Sequence, residues 1–247
     1  MRQARKRLLG VGIAAGLALA VGLATVGLSA ASGSQATPPR AAQVTSSATP
    51  CTSASYALTV NATSPSGAAW SIAATGQVDF NGDAATATVT LPSSFPVGVL
   101  AGTTLQIELV GTSVYVEVPP ALSEFVGGAP WVSIALPSDG SSEVNAVFSQ
   151  LASWCGNVQS IVTALGSHGG PVTSLGSSSI DNGYAKGTMV KRSGNRIRHL
   201  LRLPRSLTGD ILTGATTPID VWANSQGQLV RLSIGTFLSL NVTNIDQ

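Results

Sequence analysis

The chain has 247 residues, of which 44 % are hydrophobic but only 10 % are charged and 5 % are aromatic. This composition allows a large core and excludes an acidic disordered protein or a coiled coil, which would be rich in charged residues. The net charge of +2, two Cys and two His favour neither a nucleic-acid partner nor a zinc scaffold. We expect no metal and no cofactor.

The N-terminus predicts export. Four basic residues among the first seven precede an uncharged stretch over residues 8–31, the pattern of a secretory signal. The stretch is longer than the about 7–15 residues of a signal core and near the about 20 that span a membrane. Residues 1–31 are therefore predicted as a cleaved signal peptide or a retained membrane anchor. Both place the remainder, with 9 basic and 11 acidic residues, in the cell envelope or outside the cell.

The segment after the apolar stretch predicts a tether and a crosslink. Residues 32–54 are rich in Ser, Ala, Thr and Pro and predict a flexible linker, followed by a folded domain over 55–247. Cys51 and Cys155 both lie in the exported part, where disulfides persist. The sequence favours a bridge between them, with two free thiols as the alternative.

Short β-type runs bounded by turn residues begin the folded part. They cover residues 56–61, 70–80, 84–91, 105–109, 114–118 and 131–136. Asn81-Gly82 between the second and third runs predicts a hairpin. The alternation of apolar and polar residues predicts antiparallel strands that bury one face.

The hydrophobic period changes to a helical one after residue 142. Residues 143–154 and 158–165 carry apolar side chains at helical spacing, and Gly166 is a suitable stop. The segment 196–212 fits either type of element. Strand patterns return over residues 172–180, 184–191, 219–223, 228–234 and 237–242. We expect an α+β domain with about ten strands and two or three helices.

The predicted sheet is wider than the helices that would cover it. Ten strands at ~4.8 Å spacing would span ~50 Å, whereas three helices of ~10 Å cover ~30 Å. The sheet must then curl around the helices or leave apolar surface over, which would form a cavity. Large side chains that fill the space are the alternative, although the chain has few of them.

Three short segments carry a family resemblance. Gly76–Phe80 ends an early strand, Val114–Pro119 is followed by Pro130-Trp131-Val132, and Pro218–Trp222 is followed by Gln226–Leu232. On these residues, the region 55–245 resembles the LppX/LprA/LprF/LprG-type lipoproteins of the actinobacterial envelope, which share the LolA-like fold. The chain lacks the lipidation cysteine that most members carry after the apolar stretch.

The resemblance implies a fold and a function. The fold is a strongly curved antiparallel half-barrel with helices on its concave face. The cavity between them would hold the acyl chains of a lipid or glycolipid, and such proteins perform no covalent chemistry. The alternative is a non-catalytic envelope interaction or structural module with a filled core.

Candidate lipid-binding residues lie at alternating strand positions and on the two helical stripes. They are Leu105, Ile107, Leu109, Val114, Val116, Ile134, Leu136, Val147, Leu151, Ile161 and Leu165. Burial of an acyl chain against them would contribute ~0.8 kcal/mol per CH₂. No catalytic residue is predicted, because the Gly-x-Ser-x-Gly elbow of lipases is missing.

A block of basic residues lies late in the chain. Residues 186–205 contain seven Lys or Arg and no acid, whereas residues 41–185 contain no Lys or Arg. Arg196, Arg198 and Arg202 are candidates for contact with an anionic head group or a membrane surface. A solvated basic face is the alternative. The sequence leaves the oligomeric state open.

Overall fold

The computed structural model of the chain describes residues 49–63, 69–95, 98–111, 113–135, 152–166, 171–180, 183–193, 197 and 216–247. The predicted signal or anchor and most of the predicted linker therefore lie outside the described residues. Within these ranges, none of the helices has the length and apolar character that a membrane span requires.

Eleven antiparallel strands form one open sheet. They are β1 (Ser53–Thr63), β2 (Ala69–Asp79), β3 (Ala84–Thr90), β4 (Thr104–Val110), β5 (Ser113–Glu117), β6 (Trp131–Ala135), β7 (Val172–Ile180), β8 (Gly183–Ser193), β9 (Thr216–Ala223), β10 (Leu229–Ile234) and β11 (Leu238–Thr243). Their spatial order is β6-β5-β4-β3-β2-β1-β11-β10-β9-β8-β7. We call β1–β6 the N-terminal arm and β7–β11 the C-terminal arm.

The sheet agrees with the predicted antiparallel architecture of about ten strands. An open sheet of this width is consistent with the expected half-barrel, since twisted sheets of more than about ten strands tend to curl. We call its more buried side, which carries the main core, the inner face, and the opposite side the outer face.

The predicted hairpin at Asn81-Gly82 is present and connects β2 to β3. Asp79 and Ala84 are partners, so the turn contains four residues. The Asp79 carboxylate accepts the backbone N–H groups of Asn81 and Gly82, each at 3.0 Å. The acid that precedes the turn therefore holds it closed, as Asp commonly does in turns.

The centre of the sheet joins the two ends of the folded chain. β1 pairs with β11, with Leu58 opposite Leu240. The backbone N–H of Thr52 donates to the Asp246 carboxylate at 2.6 Å, and the Asp246 N–H donates to the Ser53 carbonyl at 2.9 Å. β1 begins at Ser53, directly after Thr52.

Helical structure lies in the segment that crosses from β6 at one edge to β7 at the other. Residues 152–156 are helical, and α1 (Val158–Gly166) follows and ends at the predicted glycine. α1 packs on β8 and β9. Two short 3₁₀ helices, Gly98–Leu100 and Pro120–Val126, lie between strands of the N-terminal arm. The first part of the predicted helix over 143–154 lies outside the described residues.

The predicted disulfide joins Cys51 to Cys155, with Cα atoms 5.7 Å apart. The Cys51 N–H also donates to the Ala152 carbonyl at 3.1 Å. A side chain at Gly156 would collide with the Thr49 carbonyl, so glycine permits this close approach. The crossing segment is thereby fastened to the start of β1.

The main core covers the inner face of both arms. It also includes buried residues from connections at one end of the sheet, namely Phe95, Leu100, Leu122, Ile197 and Phe237. A second, smaller cluster lies on the outer face of the C-terminal arm and contains Ile180, Ala185 and Val230 with half-buried Trp222. The C-terminal arm therefore has apolar packing on both faces.

Candidate functional site

The structure places seven of the predicted lipid-binding residues in the main core. The strand residues Leu105, Ile107, Leu109, Val114 and Val116 are between 1 % and 9 % exposed, and Ile161 and Leu165 of α1 are also buried. A water-filled cavity would expose the side chains that line it. These side chains therefore pack against protein atoms in this structure.

The other predicted residues cannot be placed as side chains. Ile134 lies opposite Val114 in the β5–β6 pairing, and its side chain is outside the described part. Leu136, Val147, Leu151, Arg196, Arg198 and Arg202 all lie outside the described residues.

The placed residues form two groups. The strand group lies on β4 and β5 in the N-terminal arm, and the helix group lies on α1 above β8 and β9. Five strands separate β4 from β9, which corresponds to ~29 Å along the sheet. The centre of the inner face thus lies between the two groups.

Three leucines at this centre are only half-buried. We call Leu232, Leu238 and Leu240 the central leucine strip; Leu232 and Leu240 are directly opposed on β10 and β11. Leu58 on β1 and Val221 on β9, which flank that pair, are fully buried. The strip is therefore a more open apolar patch within a well-covered face.

The central leucine strip was not among the residues predicted from the sequence. The alternation of Leu238, Leu240 and Val242 indicated a strand with one apolar side. That alternation does not distinguish a fully covered side chain from a half-covered one, because the difference depends on what lies above the strand.

Tyr56 provides a polar group on the inner face of the N-terminal arm. Its ring lies against Gly76, and its hydroxyl donates to the Thr86 carbonyl at 2.9 Å. A Cβ at Gly76 would lie 2.7 Å from the Tyr56 hydroxyl, so this ring position requires glycine. Burial raises the pKa of Tyr56 to about 12, and the hydroxyl is therefore neutral at physiological pH.

Trp222 has a similar arrangement on the outer face of the C-terminal arm. Its ring covers Gly187, where an added Cβ would lie 2.8 Å from ring atoms. Nearby Asp220 has one carboxylate oxygen that is buried without a hydrogen bond, and burial raises the pKa of this carboxyl group. In the segment Pro218–Trp222, the Trp222 side chain therefore lies on the outer face over Gly187.

Arg192 is the one charged side chain that is buried in the described part of the chain, at 6 % exposure. It lies on the inner face of β8, two residues after fully buried Val190, and opposite Thr217 of β9. One terminal nitrogen, Nη1, donates to the Lys191 carbonyl at 2.7 Å, and the other, Nη2, donates to the Leu165 carbonyl. Nε is buried without a partner.

A polar groove of about 440 Å³ crosses the sheet at the end where β1 starts. Its lining includes the outer-face row formed by Ser55, Gln77, Thr86 and Glu108, and of the predicted lipid-binding residues it includes Leu109. No group of three or more potential metal ligands occurs among the residues with described positions. No residue of the central leucine strip lines this groove, so the two features are distinct.

Comparison with solved structures finds chains that align over most of this chain at low identity. No protein-family model matches the chain, and no curated protein matches it. The lipoprotein LppX from Mycobacterium tuberculosis aligns over 80 % of this chain and 87 % of its own, with 17 % identity and a TM-score of 0.46. A LolA superfamily protein from Nitrosomonas europaea aligns over 80 % of this chain and 86 % of its own, with 12 % identity and a TM-score of 0.25.

These neighbours are the kinds of protein that the sequence resemblance named. With identities below 20 % and TM-scores below 0.5, the likeness assigns neither a family nor a function to this chain.

Proposed function

We propose that this exported protein binds and carries the acyl chains of a lipid or glycolipid, without catalysing a reaction. The observation that supports the proposal best is the central leucine strip, which leaves apolar surface partly exposed inside the main core. Covering apolar surface is favourable by about 25 cal/mol per Å². A bound acyl chain would provide that cover.

The chemistry of the surrounding face suits an uncharged chain. Leu58, Val60 and Val221 border the strip, and all three are apolar and buried. The hydroxyl of Tyr56 is neutral and satisfied by the Thr86 carbonyl. Each CH₂ group buried here would contribute ~0.8 kcal/mol.

An extracytoplasmic location is part of this proposal. The Cys51–Cys155 disulfide supports it, because such bonds persist mainly in oxidising compartments. The basic residues and apolar stretch at the N-terminus support it independently.

A second candidate function is an interaction or structural module with a filled core. The burial of Leu105, Ile107 and Val114 favours it, since no space adjoins these side chains in the structure. The two candidates differ at the central leucine strip, which binds an acyl chain only under the first.

Binding of methyl oleate, a neutral acyl probe, to the full-length protein separates the two candidates. We expect native mass spectrometry to detect the bound probe, and Leu240→Gln to weaken binding by tenfold or more by placing an amide in the strip. Leu175→Gln is the matched control, because Leu175 lies exposed on β7 away from the strip. We expect it to change affinity less than twofold.

Thermal melting of both variants shows whether they remain folded. A wild-type protein that carries no lipid on gentle purification and binds no methyl oleate would exclude the carrier function and favour the module. Equal binding by wild type and a folded Leu240→Gln variant would remove the strip as the site.

A further inference from the structure

Arg192 combines a permanent charge with burial. A guanidinium stays protonated in proteins and carries five N–H donors. Burial of an uncompensated charge is costly, which explains why such groups are usually paired. The two acceptors that Arg192 has among the described residues, the carbonyls of Leu165 and Lys191, are both uncharged.

The Leu165 carbonyl belongs to the last turn of α1, so its partial negative charge offsets part of the cost. The Nε–H group remains buried without any acceptor. An unsatisfied buried donor costs about 1–3 kcal/mol. Among the described residues, no acidic side chain pairs with Arg192, and its Nε–H group lacks an acceptor.

Arg192 lies at the margin of the apolar inner face. Val190, the next inner residue of β8, begins a row that continues through Ile219 and Ile234 to Leu238 of the central leucine strip. β8 lies three strand spacings from β11, which is ~14 Å along the sheet. Val190, Ile219 and Ile234 are at most 2 % exposed. A ligand with its apolar chain on the strip would therefore displace the cover of this row to bring its head beside Arg192.

We propose that Arg192 binds the anionic head group, a carboxylate or a phosphate, of the lipid whose acyl chain lies on the central leucine strip. This inference rests on the proposed lipid-binding function. The fork of Nε and a terminal nitrogen matches two oxygens of a carboxylate or phosphate. The head group supplies the missing charge and the missing acceptor together.

Oleic acid and methyl oleate test the proposal, because they share a chain and differ in the charge of the head. In competition for the full-length protein at pH 8, we expect oleic acid to be preferred at least tenfold. Arg192→Gln should reduce this preference to near one, while affinity for methyl oleate changes less than twofold. Dioleoyl phosphatidic acid extends the test to a phosphate head group.

Two further variants keep the test decisive if the glutamine variant does not fold. Arg192→Lys keeps a cation but removes the fork, and should lower the preference without abolishing it. Lys191→Gln is the matched control, because Lys191 is the adjacent exposed cation on the other face. It should leave the preference unchanged.

Equal binding of oleic acid and methyl oleate by the wild-type protein would overturn the head-group role and leave the carrier function intact. A preference retained by folded Arg192→Gln would also overturn it. Binding of neither probe would refute the carrier function itself. Inorganic phosphate that competes as well as phosphatidic acid would show a free-anion site instead of a lipid head-group site.

Discussion

The two arms of the sheet differ in how buried residues are distributed over their two faces. In the N-terminal arm, β4 alternates strictly between buried and exposed residues, and outward-facing Glu108 and Glu117 are exposed. In the C-terminal arm, eight of the nine residues of β7 are exposed, whereas β8 buries Val190 on the inner face and Ala185 on the outer face. The first arm has one apolar side, whereas the second has apolar packing on both faces and an exposed edge strand, β7.

This difference shows what each arm needs for stability. The N-terminal arm needs cover on one face only, which its own alternation specifies. The C-terminal arm depends on α1 above β8 and β9 and on Trp222 below. Its stability therefore depends on residues far apart in sequence, and changes in the two arms should have different consequences.

The largest expected effect comes from the crosslink between the start of β1 and the crossing segment. Replacement of both Cys51 and Cys155 by Ser frees the crossing segment from β1. The pair is 104 residues apart, and the chain-entropy relation gives about 4.7 kcal/mol for a loop of this size. Urea unfolding of the variant and of the reduced wild type should show the same loss. Full stability after reduction would contradict this role.

The next largest effect is a difference in stability between a buried position of the N-terminal arm and a position in the central leucine strip. Ile107→Ala should cost about 2–5 kcal/mol, because it leaves a cavity at a fully buried position. Leu240→Ala should cost less, because this side chain is half-buried. Denaturant midpoints of the two variants provide the measurement. An equal or larger loss for Leu240→Ala would show that the strip is as closely packed as the N-terminal arm.

A smaller effect is expected on the outer face of the C-terminal arm. Gly187→Ala places a methyl group against the Trp222 ring and should cost about 1–3 kcal/mol through overpacking. Gly98→Ala is the control, because no atom lies within 4 Å of the added Cβ. Thermal unfolding that is identical in the two variants would mean that the Trp222 cover does not stabilise this arm.

The smallest effect is the pH response of the N-terminal arm. Tyr56→Phe removes the hydrogen bond to Thr86 and should cost about 0.5–1.5 kcal/mol at neutral pH. Because burial raises the pKa of Tyr56 from 10.0 to about 12, the neutral hydroxyl binds its proton more tightly in the folded state. This contribution is present below pH 10 and is lost as the pH rises toward 12.

The stability difference between wild type and Tyr56→Phe should therefore shrink between pH 10 and 12. Tyr184→Phe is the matched control, because Tyr184 is 82 % exposed and should give no such change. A difference that stays constant across this range would argue against the buried hydroxyl.

The sequence indicated the strands well because alternation is a local signal. Leu105, Ile107 and Leu109 alternate with polar residues and form β4 as predicted. The Asn81-Gly82 hairpin was equally local, and so was the capping of its backbone N–H groups by Asp79.

The pairing of β1 with β11 could not be read from any local pattern. Tyr56 and Val242 are partners across nearly the whole domain, and no short-range signal connects them. Arg192 was grouped with the basic block, although its alternation with Val190 placed it on the apolar side of β8. Because Arg192 was considered only as part of a basic block, its burial on the inner face was not predicted.

The adjacency of β1 and β11 has a mechanical consequence. The start of β1 and the end of β11 lie at the same end of the sheet, with Ser55 opposite Thr243. Opposed pulling on these two ends would open the pair like a zipper, breaking one rung of hydrogen bonds at a time. A force applied through the residues before Cys51 reaches the disulfide first. The crosslink can thus pass part of that load to the crossing segment and protect the pairing of β1 with β11.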